Sequence, residues 1–236
     1  MFFLNTFSKI LVPDWLAKFE AAFALPDVGM VGATGSYESL NYSLRQVGKA
    51  VWLCNQGIPY DPELAEKWGA EIDTHAPAWA KQSRSRKAIG RLRRRLGLRR
   101  YDPALDPKFE EYWATVLGPG GVFHAYANFP WFPNPHVRSN AFMIARDDWL
   151  AWLPAGIMTK EQSYVAESGP GSVTIQAAKA GKRTLLVGAD GQLFDTPEWP
   201  KSRTFRLGQQ SNIIVADNQT RFYDGMNNRQ KTMYTF

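Results

Sequence analysis

The sequence predicts an α/β protein that carries a mostly helical, basic insertion. Residues 1–36 show a strand, helix, strand order, and residues 121–188 return to short apolar strands alternating with capped helices. Between them, residues 38–120 are interrupted by prolines and contain a long basic run. We therefore expect a single domain with its α/β core in 1–37 and 121–223, an insertion at 38–120 and a loose tail at 224–236.

The first part of the core begins with an apolar strand over residues 1–5. Pro13 suits a first helical position, and the apolar residues after it recur at helical spacing until Pro26 ends the helix. A second short buried strand covers residues 28–31. The small residues at 32–36 (GATGS) then predict a turn at the end of that strand, where ligands of α/β sheets bind.

The second part of the core carries clear helix boundaries. An apolar run at 141–145 predicts a buried strand. Thr159 has Gln162 three residues later, which is the form of a capping box for a helix through about residue 166. Ser172 can cap the next helix, 173–180, and Gly181 suits its left-handed end. Three further predicted elements are a helix within 42–55, a hairpin of 184–188 with 192–194, and a strand over 212–216.

The bulk composition limits the class of protein. At 236 residues and 44% hydrophobic, the chain can bury a core of its own. A single cysteine, Cys54, excludes an internal disulfide framework and suits a reducing compartment. We expect neither a signal peptide nor a membrane span, because no apolar stretch approaches about 20 residues.

The positive charge is concentrated in residues 81–100. This segment holds ten Lys or Arg residues and no acid, so subtracting ten from the net charge of +6 leaves −4 for the rest of the chain. Its leucines and isoleucine make a partly amphipathic basic helix, which suits either an anionic membrane surface or a solvated helical face. Nucleic acid is not expected as a partner, since no binding module accompanies the charge.

Three stretches resemble family 2 glycosyltransferases of the GT-A fold. They are LNTFSKILVPDWLAKF with PDVGMVGATGS, then SNAFMIARDDWL, and SYVAESGPGSVTIQAAKAGKRTLLVG. The runs WPKSRTF and NIIVADNQT resemble a bacterial group of such proteins. The resemblance implies a mixed, mainly parallel sheet and an inverting transfer of a sugar from a nucleotide-sugar donor to a glycan or lipid-linked acceptor. It also implies a cytoplasmic protein, peripheral on the inner face of the membrane.

The chain departs from this family in two ways. Where the family has Asp-x-Asp, residues 5–8 read NTFS, which argues against a divalent metal held in the usual way. The family's first strands and helices, which hold the nucleotide, would also precede residue 1. Either the true start lies upstream, or the protein is a half-domain without a donor pocket. The competing hypothesis is therefore an inactive or truncated scaffold that binds glycan or a partner.

The resemblance assigns the catalytic base to Glu167, which we expect on the turn between two helices. A carboxylate there can accept the proton of an acceptor hydroxyl, or it can be a helix-end carboxylate that only interacts with the helix dipole. His136 and Arg138 are candidates to bind a diphosphate or an acceptor sugar. Arg138 is equally a candidate structural partner of Asp147 or Asp148.

The remaining candidate substrate-binding residues are polar, small or aromatic. Amides can bind sugar hydroxyls, aromatic rings can stack on a sugar, and a small-residue turn can approach a ligand through its backbone. Each also has an ordinary structural role in a loop, a core or a chain reversal. These candidates are Asn5, Gly35, Ser36, Trp131 with Phe132, Asn134 and Asn140. Histidine spacing fits no metal site, and neither a P-loop nor a nucleophile elbow is present.

Overall fold

The computed structural model describes residues 1–58, 61–75, 106–228 and 231. The chain divides into two compact units, one made of Met1–Glu38 with Phe132–Phe236 and the other of Ser39–Trp131. The second unit corresponds to the predicted insertion but extends past residue 120, so residues 121–131 do not belong to the α/β core as predicted. The basic segment 81–100 and most of the predicted tail lie outside the described residues.

Short strands and helices make up the α/β unit, and helices dominate the other. The strands are β1 (Phe2–Leu4), β2 (Lys9–Ile10), β3 (Val28–Gly32), β4 (Gly35–Ser36), β5 (His136–Val137), β6 (Ala141–Ile144), β7 (Arg183–Val187), β8 (Leu193–Asp195) and β9 (Val215–Ala216). The described helices are α1 (Trp15–Phe23), α2 (Leu40–Asn55), α3 (Pro62–His75), α4 (Asp106–Leu117), α5 (Arg146–Trp152), α6 (Lys160–Ser168), α7 (Val173–Lys179) and α8 (Asn218–Asp224).

The main sheet is mixed, and the prediction that it is mainly parallel was wrong. Within the described residues it has five strands in the order β1-β6-β3-β7-β8. β6 pairs antiparallel with both β1 and β3, β8 pairs antiparallel with β7, and β3 with β7 is the parallel ladder. The reason is that β6 enters between two strands that precede it in sequence and runs against both.

Strand direction brings several polar residues to one edge of this sheet. Because β6 is antiparallel to both neighbours, β1 and β3 run the same way, and β7 follows β3. The carboxyl ends of β1, β3 and β7 therefore share an edge with the amino end of β6. Asn5 follows β1, Thr34 lies two residues after β3, and Asn140 precedes β6, and hydrogen bonds join all three at that edge.

The residues after β3 do not form the predicted turn. The chain bends at Ala33 and continues as β4, whose Gly35 pairs with Val137 and whose Ser36 pairs with His136 of β5. No sequence pattern predicts β5, because His136 and Val137 lie in a polar stretch that contains two prolines. This two-stranded ladder extends the site beyond the carboxyl edge of the main sheet.

Helices cover both faces of the sheet because alternate strand residues point to opposite sides. On one face, Phe19 of α1 packs with Val31 and Leu185. On the other, Met30 packs with Val173 of α7 and with Trp199.

The two predicted N-caps and the predicted left-handed glycine are confirmed. Thr159 and Gln162 form the capping box of α6, Ser172 caps α7, and Gly181 has a φ of +69°.

The helical unit has an aromatic core of its own. Trp52, Tyr112, Trp113 and Phe123 are each at most 3% exposed and pack together between α2, α4 and the turn at His124–Tyr126. Among the helices of the described residues, none is long and apolar enough to cross a membrane.

Candidate active site

The carboxyl edge of the main sheet is held together by the amide of Asn140. Its Oδ1 accepts a hydrogen bond from the Thr34 hydroxyl at 2.6 Å, and its Nδ2 donates to the Val215 carbonyl at 3.0 Å. The Asn5 backbone N–H donates to the Asn140 carbonyl at 3.3 Å, and the Asn5 side chain accepts from the Ser8 hydroxyl at 2.9 Å. Asn140 is 1% exposed. Its hydrogen bonds link the residues that follow β1 and β3 to strand β9.

Arg138 forms a buried ion pair at the same edge. Its Nη2 donates to Asp217 Oδ2 at 2.8 Å, and the centre of its guanidinium lies 4.0 Å from the ring centroid of Phe205. Neither partner suggested from the sequence is the right one, since Asp147 and Asp148 bind other cations. The side chains of Arg138 and Asp217 are 10% and 2% exposed, so this pair is nearly desolvated.

Asp217 is also the N-cap of α8. Its Oδ1 accepts from the Thr220 N–H at 2.8 Å, and the Thr220 hydroxyl accepts from the Asp217 N–H at 2.7 Å. Sequence reasoning missed Asp217, although an aspartate followed three residues later by threonine is a capping signal that could have located it. The pairing with Arg138 had no sequence signal, because 79 residues separate the two.

Asn134 and His136 connect the short strand β5 to the end of α6. Asn134 Nδ2 donates to the Ser168 carbonyl at 2.8 Å, and His136 Nδ1 lies 2.8 Å from the Asn134 carbonyl oxygen. A carbonyl only accepts, so His136 Nδ1 carries the proton and the neutral ring has its lone pair on Nε2. Burial lowers the pKa of His136, against the Asn134 hydrogen bond and the charges of Glu167 and Glu38, which raise it.

Glu167 lies in the last turn of α6 and not on the turn after it, because the helix continues two residues beyond its predicted end. The side chain is half-buried, and its Oε1 accepts the backbone N–H of Ser139 at 2.9 Å. The carboxylate is thereby fixed beside β5 and close enough to His136 to act on its charge. Sequence reasoning missed Ser139 as the group that orients Glu167.

A cleft of about 180 Å³ lies beside β4, and we call it the aromatic cleft. Its lining includes Gly35, Ser36, Tyr37, Phe132 and Arg206. Three of the predicted residues, Gly35, Ser36 and Phe132, thus line the same cleft.

Gly35 has no room for a side chain, since a Cβ there would lie 2.5 Å from Trp199 Cε3. The two aromatic residues predicted to stack on a sugar belong to different units. Trp131 is the last residue of the helical unit, and Phe132 belongs to the α/β unit. Arg206 forms an ion pair with Glu38, and neither residue was predicted.

A second cleft, of about 210 Å³, lies between the sheet and helices α5 to α7, and we call it the apolar cleft. Most of its lining is hydrophobic, and its polar residues include Ser139 and Glu167. The full lining is Met30, Val137, Ser139, Phe142, Trp149, Leu153, Ile157, Ser163, Ala166, Glu167, Val173 and Thr174. Glu167 and Val137 of β5 therefore line the apolar cleft, whereas Gly35 and Ser36 of β4 line the aromatic cleft.

Within the part of the chain that the structure describes, no three His, Cys, Asp or Glu side chains are grouped to hold a metal ion. Comparison with protein-family models, with curated proteins and with solved structures found no match to this chain. The chemistry of the site is therefore inferred from its own geometry.

Proposed function

We propose that the chain is a glycosyltransferase-like protein that transfers a sugar from a nucleotide-sugar donor to a hydroxyl of a glycan or lipid-linked acceptor. One observation carries the proposal: Glu167 presents a half-buried, oriented carboxylate to the apolar cleft. A general base needs an ionised carboxylate within hydrogen-bond reach of the proton that it removes. The backbone N–H of Ser139 holds this carboxylate in place by donating to Oε1 at 2.9 Å.

In the proposed reaction Glu167 takes the proton of the acceptor hydroxyl. Oε1 is occupied by Ser139, which leaves Oε2 as the proton acceptor. The acceptor oxygen forms a bond to the anomeric carbon, the bond from that carbon to the diphosphate breaks, and the nucleoside diphosphate leaves. The resemblance implies inversion at the anomeric carbon. Burial lowers the pKa of His136. At neutral pH its ring is therefore uncharged and does not form an ion pair with Glu167 in place of the acceptor hydroxyl.

The aromatic cleft is the proposed location of the sugar ring. Tyr37 and Phe132 offer ring faces, on which the apolar face of a sugar stacks. Ser36 and Arg206 add hydrogen-bonding groups to the same lining. Ser36 of this cleft pairs with His136 across the β4–β5 ladder, and the charge of Glu167 acts on the pKa of His136.

We further propose that the α/β unit is of the GT-A type. Its support is the order β1, α1, β3, with β7 parallel to β3, together with the polar residues gathered at the shared carboxyl edge. No step of the proposed reaction depends on a metal, because residues 5–8 lack the Asp-x-Asp carboxylates.

The second candidate function is a non-catalytic scaffold that binds a glycan or a protein partner. It is favoured by the burial of three predicted substrate-binding residues, Asn134, Arg138 and Asn140, which are 2%, 9% and 1% exposed. Their side chains donate to protein groups. If these side chains only stabilise the fold, the edge of the sheet has fewer polar groups with which to bind a nucleotide-sugar donor.

The first experiment is calorimetric titration with UDP, GDP and dTDP sugars, with and without Mn²⁺, followed by a transfer assay. We expect Glu167→Gln to keep donor binding and to lose about 10²–10⁴-fold in turnover, the usual contribution of a general base. Glu20→Gln, on the exposed side of α1, is the matched control and should keep full activity. Absence of donor binding would overturn the transferase, and glycan binding without it would support the scaffold.

We also propose a cytoplasmic location and contact with an anionic membrane surface through residues 81–100. The support is the concentration of ten basic residues in this segment. No nucleic-acid partner is proposed.

A further inference from the structure

The apolar cleft is amphipathic in a way that suggests its ligand. Its deep lining is hydrophobic, with Met30, Ala166 and Val173 at most 7% exposed. Ser163 and Glu167, one helical turn apart on the same face of α6, are exposed and half-buried respectively. The cleft therefore has an apolar floor and a polar group on its solvent side.

The chain next to the cleft also exposes apolar side chains. Ile157 lines the cleft, and the following residue, Met158, is 87% exposed. Both lie on the loop between α5 and α6. An apolar ligand that fills the cleft could therefore continue onto an apolar surface when it leaves the cleft.

We propose that the apolar cleft binds the aliphatic chain of an amphiphilic acceptor, whose hydroxyl group lies at Glu167. This inference rests on the proposed transferase function and names the class of its acceptor: an alcohol that carries a hydrophobic tail. The tail would lie against Val173 and Ala166, and the hydroxyl would donate to Glu167.

The size and chemistry of the cleft favour a chain over a sugar. Apolar cavities of about 150 Å³ already bind benzene, whereas sites for drug-sized ligands span about 300–1,000 Å³. At about 210 Å³ the cleft holds a short aliphatic segment or a single ring. A sugar there would bury hydroxyl groups against Phe142 and Leu153 without partners, which is unfavourable.

The test is a binding series of alkyl β-glucosides, from methyl to octyl, measured by calorimetry below the concentrations at which they form micelles. Each added methylene that enters the cleft should tighten binding about fourfold, and the gain should stop once the cleft is full. Equal affinity along the series, or no binding at all, would overturn the proposal.

Variants locate the binding. Ile157→Ser should weaken octyl glucoside about tenfold, and Ala166→Leu should block the cleft by filling it. Leu150→Ser is the matched control, since Leu150 is 61% exposed and does not line the cleft. The folded state of each variant is checked by circular dichroism. Equal weakening by Leu150→Ser would mean that binding is a general surface effect and would overturn the assignment.

A brominated alkyl chain provides an independent readout, because bromine quenches nearby tryptophan. Quenching should fall in Trp149→Phe, which removes a tryptophan that lines the cleft, and stay unchanged in Trp15→Phe, on the other face of the sheet. Quenching that is lost in Trp15→Phe and unchanged in Trp149→Phe would overturn the assignment.

The two proposals fail separately. Donor binding without any dependence on alkyl length would remove the acceptor class and leave the transferase. Chain binding in the cleft, without transfer to any alkyl glucoside, would overturn its role as an acceptor site and leave an apolar ligand site.

Discussion

Removing the charge of Asp217 should destabilise the α/β unit strongly, because Arg138 would remain buried without a counter-ion. Asp217→Asn is the sharpest change. The amide oxygen can still accept the Thr220 N–H that caps α8, so the cap is kept while the charge is lost. The two side chains are 10% and 2% exposed, so water cannot easily replace the lost partner.

The expected loss follows from this burial. Breaking a buried ion pair by removing one partner costs about 3–5 kcal/mol. We expect about 3 kcal/mol for Asp217→Asn, because the guanidinium keeps its hydrogen bond to the Thr34 hydroxyl and its contact with Phe205 although it loses the acceptor at residue 217. Asp217→Ala should cost about 1 kcal/mol more through loss of the cap. Against a typical total stability of about 5–15 kcal/mol, both changes are readily measured.

Urea denaturation of five proteins tests the reasoning: the wild type, Asp217→Asn, Arg138→Met, the double variant and one control. Asp217→Asn should lower the free energy of unfolding, and adding Arg138→Met should restore part of it, since the uncompensated charge is then removed. The matched control is Asp195→Asn, which breaks the half-exposed Arg183–Asp195 pair and should cost less than about 1 kcal/mol. If the double variant loses as much as the sum of its single changes, the explanation by a stranded charge is refuted.

Three further predictions concern other parts of the molecule. Because burial lowers the pKa of His136 below its usual 6.5, the unfolded chain binds more protons below that pH. The free energy of unfolding, measured in urea, should therefore fall as the pH decreases below 6.5, by at most about 1.4 kcal/mol per pH unit. His136→Gln should flatten this slope, and an unchanged slope in that variant would contradict the role of His136. Gly35→Ala should cost about 1–3 kcal/mol of unfolding free energy through its clash with Trp199, whereas Gly171→Ala, where the space is open, should stay within about 0.5 kcal/mol, and equal effects would refute the clash. Replacing the arginines of 91–95 by glutamine should abolish salt-sensitive binding to anionic vesicles, and unaltered binding would exclude that segment as the contact.

Local chemistry explains which parts of the fold could be predicted. The capping box of Thr159 with Gln162 involves residues three apart, and the left-handed end at Gly181 depends on one residue. Both can be recognised without knowing the rest of the molecule. The strands β1, β3, β6 and β7 were also found, because each is a short apolar run with polar or turn residues at its ends.

Strand pairing could not be predicted in the same way. An apolar strand buried on both faces looks the same in sequence whether its neighbours run parallel or antiparallel to it. The position of β6 between β1 and β3 depends on how the chain returns after residue 131. That long-range step decides both the mixed sheet and the meeting of Asn5, Thr34 and Asn140 at one edge.

The candidate site was harder to predict because the groups that bind sugars also join strands. An asparagine amide donates and accepts in either role, and burial distinguishes the two. Asn140 is 1% exposed and bonded at both amide atoms, so its replacement should act mainly through stability. Glu167 is half-buried with one oxygen held by a backbone N–H, so Glu167→Gln should act mainly through turnover. Measuring stability and activity together on these two residues therefore separates the architecture of the site from its chemistry.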